Sequence, residues 1–119
     1  MKLNNQYYIF RHGEAVSNKK NISSCWPEKF LNPLTKNGKQ QIKKAILKIK
    51  KLKIDLIFSS DILRTKQTTE IIVKALKLKI KFDKRLREIN TGIFNGKSLD
   101  QWYGFYKKDK DFFVKRPKN

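Results

Sequence analysis

The strongest constraint on the fold is an alternation of two periodicities along the chain. Short apolar runs of β-forming residues alternate with longer segments of helical spacing, and the early runs end in polar clusters. Tyr7-Tyr8-Ile9-Phe10 is apolar at every position, the pattern of a strand buried on both faces. It stops at Arg11-His12-Gly13. The second run, Ile54 to Phe58, is broken only by Asp55 and ends at Ser59-Ser60-Asp61, where a serine or aspartate can cap a following helix. Between the two runs, Asn21, Ser23, Ser24, Pro27, Asn32 and Pro33 punctuate a stretch that predicts a long loop.

Helical spacing fills the intervals. Thr35 is a plausible N-cap, and Ile42, Ala45, Ile46, Ile49 and Leu52 recur as one face of an amphipathic helix with lysines outside. Ile62, Thr65, Thr69, Ile72, Val73 and Leu76 line a second helix. Lys79 to Asp83 reads as a third short strand, with Ile80 and Phe82 alternating against lysines. An irregular stretch from Lys84 to Lys97 follows, and Leu99 to Phe113 is expected to form a last helix. The order predicts an α/β fold, a largely parallel sheet flanked by helices, in a single domain over residues 1–119. There is no internal repeat and no linker.

Charge narrows the partners. The chain carries 29 basic and 10 acidic residues, a net charge of +19, which in general attracts nucleic acid or acidic membranes. Lysine supplies 24 of the 29, however, and is spread through almost every segment, so a solvated lysine-rich surface is expected and no specific nucleic-acid partner. Cys25 is the sole cysteine, which excludes an intramolecular disulfide and a multi-cysteine zinc site and fits a reducing compartment. The apolar run near the N-terminus is four residues long, far short of a signal-peptide core, and no run approaches a membrane span. A cytoplasmic protein without a membrane partner is expected.

In open parallel sheets, ligands bind outside the carboxyl ends of the strands. Arg11 and His12 follow the first run, and Ser59, Ser60, Asp61 and Arg64 follow the second, so the candidates for chemistry fall on one edge. His12 is the only histidine. Arginine occurs at five positions, 11, 64, 85, 87 and 116, and a guanidinium can hold phosphate through paired hydrogen bonds that lysine cannot reproduce.

Four blocks carry a specific resemblance. They are Arg11-His12-Gly13-Glu14 with Asn18, Leu34-Thr35 with Gly38 and Gln41, Ser59-Ser60-Asp61 with Arg64, Gln67 and Thr68, and Arg87-Glu88 with Gly92, Phe94 and Gly96. In this order they resemble the histidine phosphatase superfamily, whose fold is phosphoglycerate-mutase-like. The resemblance implies that His12 forms a phosphohistidine, that Arg11 and Arg64 hold the phosphoryl oxygens, and that Glu88 is the general acid and base. The alternative for Glu88 is a surface carboxylate paired with Arg85 or Arg87. Asn18, Ser24 and Cys25 are candidates for a substrate-binding lip, or else part of a solvated loop. Trp102, Tyr103, Phe105, Tyr106, Phe112 and Phe113 either cover the site or pack under the last helix. No cofactor and no metal are implied.

The family's second active-site histidine, borne on a later Gly-rich block, has no counterpart here. The domain is thus expected to be C-terminally incomplete, with impaired catalysis and with an uncovered sheet open to self-association. Three functions follow from the resemblance. The first is hydrolysis of a small phosphorylated metabolite, the second mutase-type transfer on a phosphoglycerate, and the third a noncatalytic phosphate-binding or interaction role.

Overall fold

A computed structural model describes residues 4–107, apart from the side chain of Tyr106. In chain order the elements are α1 (Val16–Lys20), α2 (Lys36–Ile49), β1 (Leu56–Ser59), α3 (Leu63–Leu76), β2 (Lys79–Phe82) and α4 (Leu99–Lys107). Single 3-10 turns stand at Lys50–Leu52, Lys84–Leu86 and Gly92–Phe94. The predicted α/β class holds. β1 and β2 pair in parallel, with Leu56 opposite Lys79 and Ser59 opposite Phe82, and α3 makes the crossover between them.

α2 forms where expected because Thr35 stops the chain in extended geometry and accepts a hydrogen bond from Gly38 N at 3.0 Å. Its apolar face packs on α3 through Ile42, Ile49 and Ile72, with Ala45, Ile46, Ile54, Ile57, Ile71, Leu76 and Leu78 around them. Lys77 ends α3 in the left-handed conformation, at φ 54°. α4 realises the last predicted helix as far as Lys107, and the remainder of that prediction lies outside the described residues.

Three expectations are corrected. The run Tyr7 to Phe10 is not a buried strand: it pairs with no other described segment, and Tyr7 is 70% and Ile9 101% exposed. β propensity supplies residues suited to a pleated surface, but a strand exists only when a partner edge satisfies its backbone. Within the predicted long loop stands a short helix, α1. The amide oxygen of Asn18 accepts from Ala15 N at 2.8 Å to open this helix, and Asn21 closes it at φ 53°. Finally, α3 has no serine or aspartate cap, because its N-cap is Ile62 and the Asp61 carboxylate is engaged by Arg87 instead.

Candidate active site

The site is assembled where the segment after Phe10 meets the N-terminal halves of α2 and α3. Two glycines allow that approach. A Cβ on Gly13 would stand 2.5 Å from the carbonyl oxygen of Gly38, and one on Gly38 would stand 2.1 Å from that of Glu14. The backbones therefore touch where any other side chain would separate them. The contact is locked by Thr35 N donating to Glu14 O at 2.9 Å and by Glu14 N donating to Gln41 Oε1 at 2.9 Å. Thr68 joins it to α3, its hydroxyl accepting from Gly13 N at 3.2 Å and donating to Arg64 O at 2.8 Å.

His12 is thereby held half-buried with both ring nitrogens assigned. Nδ1 lies 2.7 Å from the Gly13 carbonyl, which can only accept, so Nδ1 carries the proton. Nε2 is 3.1 Å from Nε of Arg64, which can only donate, so Nε2 presents its lone pair. Burial pushes the imidazole below its ordinary pKa of 6.5, and the charges of Arg64 and Arg11 push the same way, against the Gly13 hydrogen bond and the charge of Glu88. Both effects favour the neutral ring, with Nε2 as the acceptor of the Arg64 hydrogen bond.

Arg64, in the first turn of α3, is 3% exposed. Besides His12, it donates from Nη1 to Glu28 Oε1 at 2.7 Å and from Nη2 to Ser24 O at 3.1 Å. Burial lowers its pKa, countered by the charges of Glu28 and Glu88. Arg11 is exposed, and its charge acts on the ring. Glu88 is also exposed and accepts from Ile89 N at 3.0 Å. The surface pairings considered for Glu88 are taken by others, since Arg85 binds Asp83 and Arg87 binds Asp61.

The loop candidates divide. Ser24 reaches the site, with its carbonyl on Arg64 and its hydroxyl 3.2 Å from Glu28 Oε1. Asn18 is exposed, but its amide oxygen is occupied by the Ala15 N–H at the start of α1. Cys25 is fully buried, with its thiol against Thr91 Oγ1 at 3.4 Å, so it anchors the loop from beneath and offers no group to a lip. Sequence reasoning missed three parts of this frame. Buried Asn32 binds Ser17 through both amide atoms, at 2.8 and 2.9 Å, and Asn95 clamps the backbone of Cys25 and Pro27. Glu28 is the third, and only its position in a Pro-containing loop marked it. Arg87 braces the same loop by stacking on Trp26, 4.0 Å from guanidinium to ring centre.

Among the described residues no cluster of three or more His, Cys, Asp or Glu side chains could hold a metal ion. No described helix is long and apolar enough to cross a membrane.

Comparison with known proteins gives this constellation its class. The family model of the histidine phosphatase superfamily, branch 1, matches residues 7–119, and the chain belongs to that superfamily. It is 39% identical over 95 residues to the Escherichia coli protein named "Probable phosphoglycerate mutase GpmB", a match covering 80% of this chain and 43% of that protein. The chain thus spans less than half the length of that relative. Among solved structures, Bacillus stearothermophilus YhfR superposes with a TM-score of 0.69 at 28% identity, covering 81% of this chain and 50% of that one. A phosphoglycerate mutase from Bacillus anthracis gives a TM-score of 0.66 at 30% identity, over 76% of this chain and 40% of its own. A mycobacterial glucosyl-3-phosphoglycerate phosphatase solved with vanadate gives 0.69 at 25% identity, over 80% of this chain and 44% of its own.

Proposed function

We propose that the chain carries the nucleophilic half of a phosphomonoester hydrolase acting on a small phosphorylated metabolite through a phosphohistidine. The observation that carries this reading is the lone pair of His12 Nε2, aimed at a buried arginine while Nδ1 is tied to the Gly13 carbonyl. In the first displacement Nε2 bonds to phosphorus and the ester P–O bond breaks. Glu88 gives a proton to the departing oxygen. In the second, water attacks phosphorus, the P–N bond breaks, and the Glu88 carboxylate takes the water's proton. Arg11 and Arg64 offset the charge on the non-bridging oxygens. Ser24 and Asn18 border the substrate, and the role first given to Cys25 reduces to holding Ser24 in place.

The similarity to proteins named phosphoglycerate mutases favours a second reading, in which the phosphoryl group passes to another hydroxyl instead of water. Both readings share the phosphoenzyme. A cytoplasmic setting belongs to the proposal as well, in keeping with a sole cysteine, and so does the absence of a specific nucleic-acid partner, since the +19 charge is spread as lysine over many segments.

The test is to trap an acid-labile phosphoenzyme on the purified chain with a labelled phosphomonoester, beside His12→Ala. Label that vanishes in the variant supports the reading. A folded chain that never acquires label would leave a phosphate-binding or interaction role in its place.

A further inference from the structure

A phosphoryl group bonded to Nε2 has to lie against Arg64, yet Arg64 is 3% exposed and already surrounded. Three groups hold it: the His12 ring, the Ser24 carbonyl and the Glu28 carboxylate. The first is the nucleophile itself. The second is backbone, in a loop pinned by the buried Cys25 and Asn95. Glu28 alone is a side chain on flexible bonds, and its side chain keeps 15% exposure. It also has the chemistry of the ligand, being an oxyanion that accepts from Arg64 Nη1 at 2.7 Å and from Ser24 Oγ at 3.2 Å.

Resting on the phosphoryl reading above, we propose that Glu28 is the resident anion of the phosphoryl subsite, which a substrate phosphate must displace before His12 can attack. The carboxylate keeps the buried guanidinium paired while the site is empty, which matters because an unpaired buried charge is costly. Exchange for a phosphoryl group keeps Arg64 paired and adds negative charge beside Arg11. Glu28 therefore sets a threshold. Inorganic phosphate has to displace it and so binds the wild type weakly, whereas a phosphomonoester adds further contacts from the rest of its structure.

Displacement lowers apparent affinity by the fraction of molecules with the subsite open. Glu28→Gln preserves the size of the side chain and its hydrogen bonds while removing the competing charge. The experiment is calorimetric titration of the full 119-residue chain with inorganic phosphate at fixed pH and ionic strength, for wild type, Glu28→Gln and Glu28→Asp, with a thermal melt of each. The expected result is about tenfold tighter phosphate binding in Glu28→Gln, with Glu28→Asp between it and wild type. Unchanged or weaker binding in a folded Glu28→Gln, with wild type binding normally, would overturn the gate and make Glu28 a support for Arg64. Loss of the cooperative melt in both variants would overturn it in the same way. Absence of phosphate binding in every protein would remove the phosphoryl reading itself, and the gate with it.

Discussion

The pocket side of the molecule and its sheet side are held in opposite ways. Around His12 the buried residues are mostly polar: Ser17, Ser23, Ser24, Asn32, Arg64, Thr68, Thr91 and Asn95 all lie inside, and every one has hydrogen-bond partners. On the sheet side Phe58, Phe82 and Leu86 face outward, and Tyr7 and Ile9 of the N-terminal run are exposed as well. Hydrogen bonds contribute modestly when made and cost heavily when one partner is left buried alone. A polar frame of this kind fixes geometry sharply. An uncovered apolar surface fixes little, so the chain holds His12 and Arg64 in a defined geometry while much of its apolar surface stays in water.

The largest expected effect comes from forcing the frame apart. In Gly38→Ala the new Cβ would stand 2.1 Å from the Glu14 carbonyl oxygen, which is backbone and cannot swing aside. Overpacking at such a contact costs about 3 kcal/mol, and the displacement would carry Glu14, and His12 two residues before it, away from Arg64. Denaturant unfolding should show a loss of that size, together with loss of phosphoenzyme labelling. A stability change within about 0.5 kcal/mol would mean that the frame is softer than its hydrogen bonds imply.

How much of this was legible follows the same division. Thr35, Gly38 and the α2 periodicity obey rules that act within a few residues, and the sequence reading located them. His12 and Arg64 could be brought together from the family signature, although the first strand that was expected to place His12 at a sheet edge is absent from the described sheet. The strand expected at Tyr7 to Phe10 failed because pairing is decided by a partner edge elsewhere, and apolar composition does not contain that information. Glu28 escaped for a related reason. Its neighbours Trp26, Pro27 and Lys29 read as an ordinary loop, and only the folded chain brings its carboxylate to Arg64, 36 residues away. Cys25 was a lip candidate by its place in the loop, yet the fold buries it together with Ser23 and Ser24.

A second, smaller effect sharpens the comparison from the pocket side. His12 is the only histidine, so its ring protons report one titration without assignment by mutation. Burial, followed by Arg64 and Arg11, should set its midpoint below 6.5. Arg64→Gln should move the midpoint up by removing a nearby positive charge. A depressed folded-state pKa gives stability that is present above the unfolded value of 6.5 and lost as pH falls through the folded midpoint. Labelling should fall over the same acid range, because only the neutral ring attacks. A midpoint at or above 6.5 would show that the imidazole is solvated and the pocket open.

The smallest expected change lies in the exposed N-terminal run, where Ile9→Ser tests whether that run contributes to the fold of the isolated chain. Ile9 is 101% exposed, so the substitution removes no buried contact and should shift unfolding by less than about 0.5 kcal/mol. Its effect should appear between molecules instead. Tyr7, Tyr8, Ile9 and Phe10 form a contiguous apolar segment that pairs with no described strand, a combination that favours strand addition from another polypeptide. Sedimentation of the wild-type chain over a range of concentrations should therefore show weak self-association that Ile9→Ser reduces. A loss of 2 kcal/mol or more, about the value of burying one large aliphatic side chain, would mean that the run is covered in solution. The contrast between a hydrogen-bonded pocket and an exposed apolar run would then disappear.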